Sequence, residues 1–143
     1  MGPENHAEFG AAVESVETLT TYLEQEASGM VNVTGEQLVA AFAGLLSDVD
    51  RAALTGELAN SVAETVRRAV SAGIAGWRDD DLAFVKDWGF DLSAITTPVS
   101  IWQGEQDRMV PSAHGPWLAA HITGARLHLY PDEGHLSLFT QMP

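Results

Sequence analysis

The sequence predicts a mostly helical α/β chain: a helical region over 1–75, followed over 76–143 by a smaller part built on one βαβ unit with two parallel strands. Three observations predict this class. Apolar residues recur at three- and four-residue spacing through the first half. Two short apolar runs, Val99–Gln103 and Arg126–Tyr130, are bounded by proline and glycine in the second half. A helix-compatible stretch, Ser112–Ile122, lies between those runs and is long enough for a crossover.

The elements follow in order. From Glu4 to Ala27, Phe9, Val13, Val16, Leu19 and Leu23 share one helical face, and Ser28-Gly29 is the expected stop, with Gly29 as a left-handed cap. Thr34-Gly35-Glu36-Gln37 has capping-box spacing and opens a helix through Leu45. Ser47-Asp48-Val49-Asp50 starts a short helix to Leu54, and Leu58, Val62, Val66 and Val70 mark a longer one from Gly56 to Ala72. Asp79-Asp80-Asp81 before Leu82 is read as an acidic helix start; three consecutive carboxylates splay around a helix and do not converge on a metal. Val99–Gln103 and Arg126–Tyr130 are the strands, and Leu136–Phe139 reads as a first helical turn.

Composition excludes several classes of function. The 143 residues are 45% apolar, enough for a real core in a single-domain chain. With no cysteine there is no disulfide, thiolate metal site or cysteine nucleophile. Twenty acids against seven bases give a net charge of −13, which repels nucleic acid and anionic lipid. No run approaches the roughly 20 apolar residues of a membrane helix, and Met1-Gly2-Pro3-Glu4-Asn5-His6 lacks the basic and then apolar order of a secretory signal. The expectation is a cytoplasmic protein without a membrane span.

The second half carries the chemistry. The first strand ends in Gly104-Glu105-Gln106-Asp107, and the second ends in Pro131-Asp132-Glu133-Gly134-His135. A histidine acting as general base needs one ring nitrogen held by an acceptor and the other facing a nucleophile. Carboxyl ends of parallel strands are where open α/β sheets place such groups. Taken singly, Asp107 also reads as a turn or capping residue and His135 as a surface turn residue; together, after two strands and two glycines in order, they point to an acid–base pair. Trp102, Arg108 and Met109 flank that pair with no task assigned. His6 and His121 fall on helix surfaces, His114 at a helix start and His128 in a strand, and no two have the spacing of a helical zinc site, so neither metal nor cofactor is expected.

From Trp88 to Phe139 the chain resembles the C-terminal part of the α/β-hydrolase family. The resemblance rests on Ile95-Thr96-Thr97-Pro98-Val99, the Gly104–Asp107 turn, Val110-Pro111 and Gly134-His135. It implies that Asp107 is the triad acid and His135 the general base, and that the helices over 1–75 correspond to a cap. The nucleophile does not match: no Gly-x-Ser-x-Gly occurs, Ser15 and Ser61 fall inside expected helices, and Ser28 lacks the first glycine. The resemblance therefore implies a portion of a longer serine hydrolase, esterase- or lipase-like, inactive by itself, whose parent acts on a small uncharged or apolar ester or amide. The alternatives are an epoxide- or haloalkane-type hydrolase of the same fold and a non-catalytic helical interaction module. Two strands also leave an apolar sheet edge open, which predicts a homodimer or higher oligomer.

Overall fold

Ser15 divides what the apolar spacing predicts as one helix. In a computed structural model, which describes residues 2–141, Pro3–Glu14 forms α1 and Val16–Met30 forms α2. Ser15 itself is extended (φ −167°, ψ 161°), and its Oγ accepts the Thr18 amide at 3.0 Å, so it is an N-cap and not a helix-interior residue. The expected stop at Ser28-Gly29 is likewise corrected. α2 continues through Met30 and Gly29 is not left-handed; the Ser28 hydroxyl donates back to the Gln25 carbonyl at 2.6 Å, and one glycine costs a helix only about 1 kcal/mol.

The capping box at Thr34 forms as read. Thr34 Oγ1 accepts the Gln37 amide at 3.3 Å, while Gln37 Oε1 accepts the Thr34 amide at 3.0 Å, opening α3 (Gly35–Ala41). Ser47 caps α4 (Asp48–Ala53), and α5 covers Gly56–Val70. The next helix, α6, spans Ala75–Phe84, so Asp79, Asp80 and Asp81 lie in its middle and not in its first turn. Packing overrides the dipole argument: Ile74, Trp77 and Leu82 pack with Leu19 and Leu23, and the Trp77 indole donates to Glu8 Oε1 at 2.6 Å.

β1 (Ser100–Gly104), α7 (His114–His121) and β2 (Arg126–Tyr130) form the expected βαβ unit, with parallel register from Ser100 opposite Arg126 to Gly104 opposite Tyr130. The strands are less buried than their apolar character predicts. Gln103 and Gly104 are buried, but Ser100 is exposed and Leu129 is 38% exposed, because no third strand pairs with them among the described residues. Short 3-10 turns occupy Leu92–Ala94 and Ser137–Thr140.

The chain divides into two compact units. Pro3–Ala43 and Thr55–Trp88 form the helical one, and Gly44–Leu54 joins Gly2 and the chain from Gly89 onward in the other. Compactness thus groups 44–54 with the strands, whereas a boundary after residue 75 groups it with the helices. The helical unit buries Leu19 and Leu23 between α1, α2 and α6, and Leu38 with Val33 and Ala63 between α3 and α5. The strand-bearing unit buries Leu46, Leu54, Ile122 and Leu138. Each fully buried leucine contributes about 1.5–3 kcal/mol. No helix among the described residues is long and apolar enough to cross a membrane.

The helical unit carries one electrostatically costly group. Asp81 is 3% exposed, and its Oδ2 has no hydrogen-bond partner among the described residues. Burial first, then the charge of Glu8 and a hydrogen bond with it, and finally Asp80, push the carboxyl up to about 7. A carboxyl raised in the folded state stabilises below its ordinary value of 3.8 and loses that contribution as pH climbs through about 7. Thermal melts of the wild type should therefore show stability declining over that window. Asp81→Asn should flatten the decline and melt higher than wild type above pH 7; parallel curves for the two proteins would contradict this.

Candidate active site

Parallel pairing brings the carboxyl ends of β1 and β2 to one side, and the loops beyond them are stitched together. The Glu105 amide donates to the Tyr130 carbonyl at 2.9 Å and the Gln106 amide to the Glu133 carbonyl at 3.0 Å. Gly104 is required by this closeness: a Cβ there would run into the Glu133 and Gly134 carbonyls.

Asp107 is buried and uses both carboxylate oxygens. Oδ1 accepts the Met109 and Val110 amides, each at 2.8 Å, closing the turn after β1. Oδ2 accepts Gln103 Nε2 at 3.2 Å and lies 2.9 Å from His135 Nδ1. The turn role and the histidine-holding role read from the sequence as alternatives are thus performed by one side chain at once. Since an ionised carboxylate only accepts, the proton of this contact belongs to Nδ1, which directs the lone pair of a neutral imidazole to Nε2. Among the described residues, His135 makes no other side-chain hydrogen bond, and its side chain is 36% exposed. The Asp107 hydrogen bond raises the His135 pKa; burial opposes the rise, and the charges of Asp107 and Asp50 add to it.

Asp50 escaped the sequence reading, where it is only the third residue of a short helix. It is fully buried, and its carboxylate accepts the amides of His135 at 3.1 Å, Leu136 at 2.7 Å and Ser137 at 3.0 Å, together with the Ser47 hydroxyl at 2.8 Å. Burial pushes this carboxyl up, but the Ser137 amide, the Ser47 hydroxyl and the His135 and Leu136 amides outweigh it and hold the pKa low. The sequence signal was a serine three residues before an aspartate, which announces a helix cap and nothing about a loop 85 residues away. Gln103 was missed for a similar reason, as an ordinary strand residue.

The other singled-out residues lie elsewhere. His6, His114 and His121 are exposed, with the His121 ring stacked on Trp117 at 3.9 Å. His128 stacks on Trp102 at 4.3 Å, and Tyr130 lies on the same ring at 5.7 Å, so Trp102 belongs to the sheet face. Met109 contributes its amide to Asp107, and the Arg108 carbonyl accepts the Gly2 amide at 2.9 Å. The hydroxyls of Ser15 and Ser28 are engaged locally, with Thr18 and the Gln25 carbonyl, and Ser61 lies within α5.

Comparison with known proteins adds a limited finding. No protein-family model and no solved structure matches the chain. Mouse (Mus musculus) serine hydrolase BPHL is 41% identical over 44 residues, 31% of this chain and 15% of that protein. The 2-hydroxy-6-oxononadienedioate/2-hydroxy-6-oxononatrienedioate hydrolase of Klebsiella pneumoniae subsp. pneumoniae is 45% identical over 49 residues, 34% of this chain and 17% of that protein. Human (Homo sapiens) BPHL is 39% identical over 44 residues. The matched stretch spans only 15–17% of the length of these relatives. These short likenesses support a hydrolase-family relationship for about a third of the chain.

Proposed function

We propose that this chain is the C-terminal portion of an α/β-hydrolase-fold serine hydrolase, with Asp107 as triad acid, His135 as general base and the nucleophilic serine outside the sequence in hand. The observation that carries the reading is the 2.9 Å contact between Asp107 Oδ2 and His135 Nδ1 at adjacent strand ends. The short similarities to proteins named serine hydrolases agree with it.

In the parent, His135 Nε2 takes the serine proton as the serine oxygen attacks an ester or amide carbonyl carbon. Asp107 stabilises the imidazolium so formed. The imidazolium then protonates the departing alcohol or amine as the carbonyl re-forms, leaving an acyl-enzyme. Water repeats the sequence and releases the acid. The reading takes a small uncharged or apolar ester or amide as substrate, since a net charge of −13 disfavours anions.

The isolated chain should show no turnover of p-nitrophenyl esters above background, because losing a triad nucleophile costs on the order of a million-fold in kcat. A polypeptide extended upstream to include further strands and a Gly-x-Ser-x-Gly turn should be active, and Asp107→Asn should lower its kcat by about 10⁴-fold. Turnover by the isolated chain that His135→Ala abolishes would place a nucleophile within these residues and refute the reading.

The pair is also testable without catalysis. The His135 ring should titrate above the ordinary value of about 6.5, and Asp107→Asn should move its NMR midpoint down. Because the folded pKa is raised, the pair's contribution to stability is full below the ordinary value and fades as pH rises through the folded midpoint. An unmoved midpoint in Asp107→Asn would mean that the contact is not formed in solution.

The strand-bearing unit exposes Phe90, Trp117, Leu129 and Phe139. Such surface favours self-association of the isolated chain. Sedimentation velocity should show a dimer or larger species growing with concentration, against a single monomeric boundary if the surface is inert.

A further inference from the structure

We infer that Asp50 is a positioning residue for His135, one buried carboxylate that gathers three consecutive loop amides and so fixes the direction in which the imidazole leaves the backbone. This rests on the reading of His135 as the base. Residues 135–137 follow a strand end with no sheet partner of their own, and their amides need acceptors if they are buried. Asp50 supplies all three: Oδ1 takes the amides of Leu136 and Ser137, and Oδ2 takes that of His135.

Two further contacts hold the arrangement. The Ser47 hydroxyl donates to Oδ2, and the Ser137 hydroxyl accepts the Gly134 amide at 2.8 Å. The approach is tight enough that a Cβ on Gly134 would run into the Asp50 carboxylate. His135 is therefore constrained twice, at Nδ1 by Asp107 and at its backbone by Asp50. An asparagine cannot reproduce the second constraint. Its single oxygen serves only part of the set, and its NH2 group would face an amide donor.

The test is NMR of the His135 ring in the chain as it exists. In Asp50→Asn, the Nδ1–H resonance should broaden or vanish, the titration midpoint should fall, and the amides of 135–137 should lose hydrogen-exchange protection. A purely stabilising role would lower the melting temperature while leaving the Nδ1–H resonance and the ring's tautomer as in wild type, and that result overturns the inference; the midpoint falls in either case, because the Asp50 charge itself raises it. Should Asp50→Asn fail to fold, Ser47→Ala decides. It leaves the charge but loosens Oδ2, and it should broaden the His135 ring signals and weaken protection at 135–137; unchanged spectra overturn the inference. Because no turnover is measured, these outcomes stand apart from those that decide whether the parent is a hydrolase.

Discussion

Two parallel strands of equal length, paired in register, deliver whatever follows them to the same place, and the rest of the strand-bearing unit depends on that delivery. With Gly104 opposite Tyr130, the next residues of both strands emerge side by side. The glycine at 104 then lets the 133–134 backbone close to a distance that no side chain would permit. Any other residue at that point would separate the loops by the width of a methyl group or more. The 2.9 Å contact between Asp107 and His135 has no tolerance of that size.

Three buried carboxylates show what burial costs when the donors differ. Asp107 accepts two backbone amides and two side-chain donors, and Asp50 three backbone amides and a hydroxyl, so each bond satisfies two groups. Charge-assisted bonds of this kind contribute about 1.5–3 kcal/mol apiece and offset desolvation. Asp81 has another carboxylate for a neighbour and one oxygen without a donor among the described residues, so burial drives its pKa up to about 7. The Asp50 carboxyl is held below its ordinary value in the loop cluster, and the Asp81 carboxyl above it in the helical unit. The number of donors aimed at each makes the difference.

Much of this was legible in the sequence, for local reasons. The Thr34 box, the β2 boundaries at Arg126 and Tyr130, and the placing of Asp107 and His135 just beyond strand ends all depend on residues within a few positions of one another. What was not legible depends on distant partners. The acids of α6 read as a helix start because the dipole rule sees only neighbours, while the packing of Trp77 with Leu19 and Leu23 sets the true start. Ser15 carried a cap signal that the apolar spacing on either side concealed, although Val13 and Val16, which carry that spacing across the break, are exposed. Asp50 carried a cap signal with Ser47 but none of its loop contacts, because 85 residues separate it from the His135 amide.

Every described hydrogen-bond partner of Asp107, and every donor to Asp50, lies within the unit formed by residues 44–54 and those from 89 onward. The orientation of the imidazole is thus set by contacts that do not include a nucleophile. That matters for the role proposed for His135, because a base already oriented needs no reorganisation as the proton moves, and ordering it during the reaction would add to the barrier. In this unit the ordering is completed by folding. A turn hydrogen-bonded to Asp107 holds the carboxylate, a loop gathered onto Asp50 holds the imidazole, and the sheet register sets the distance between them.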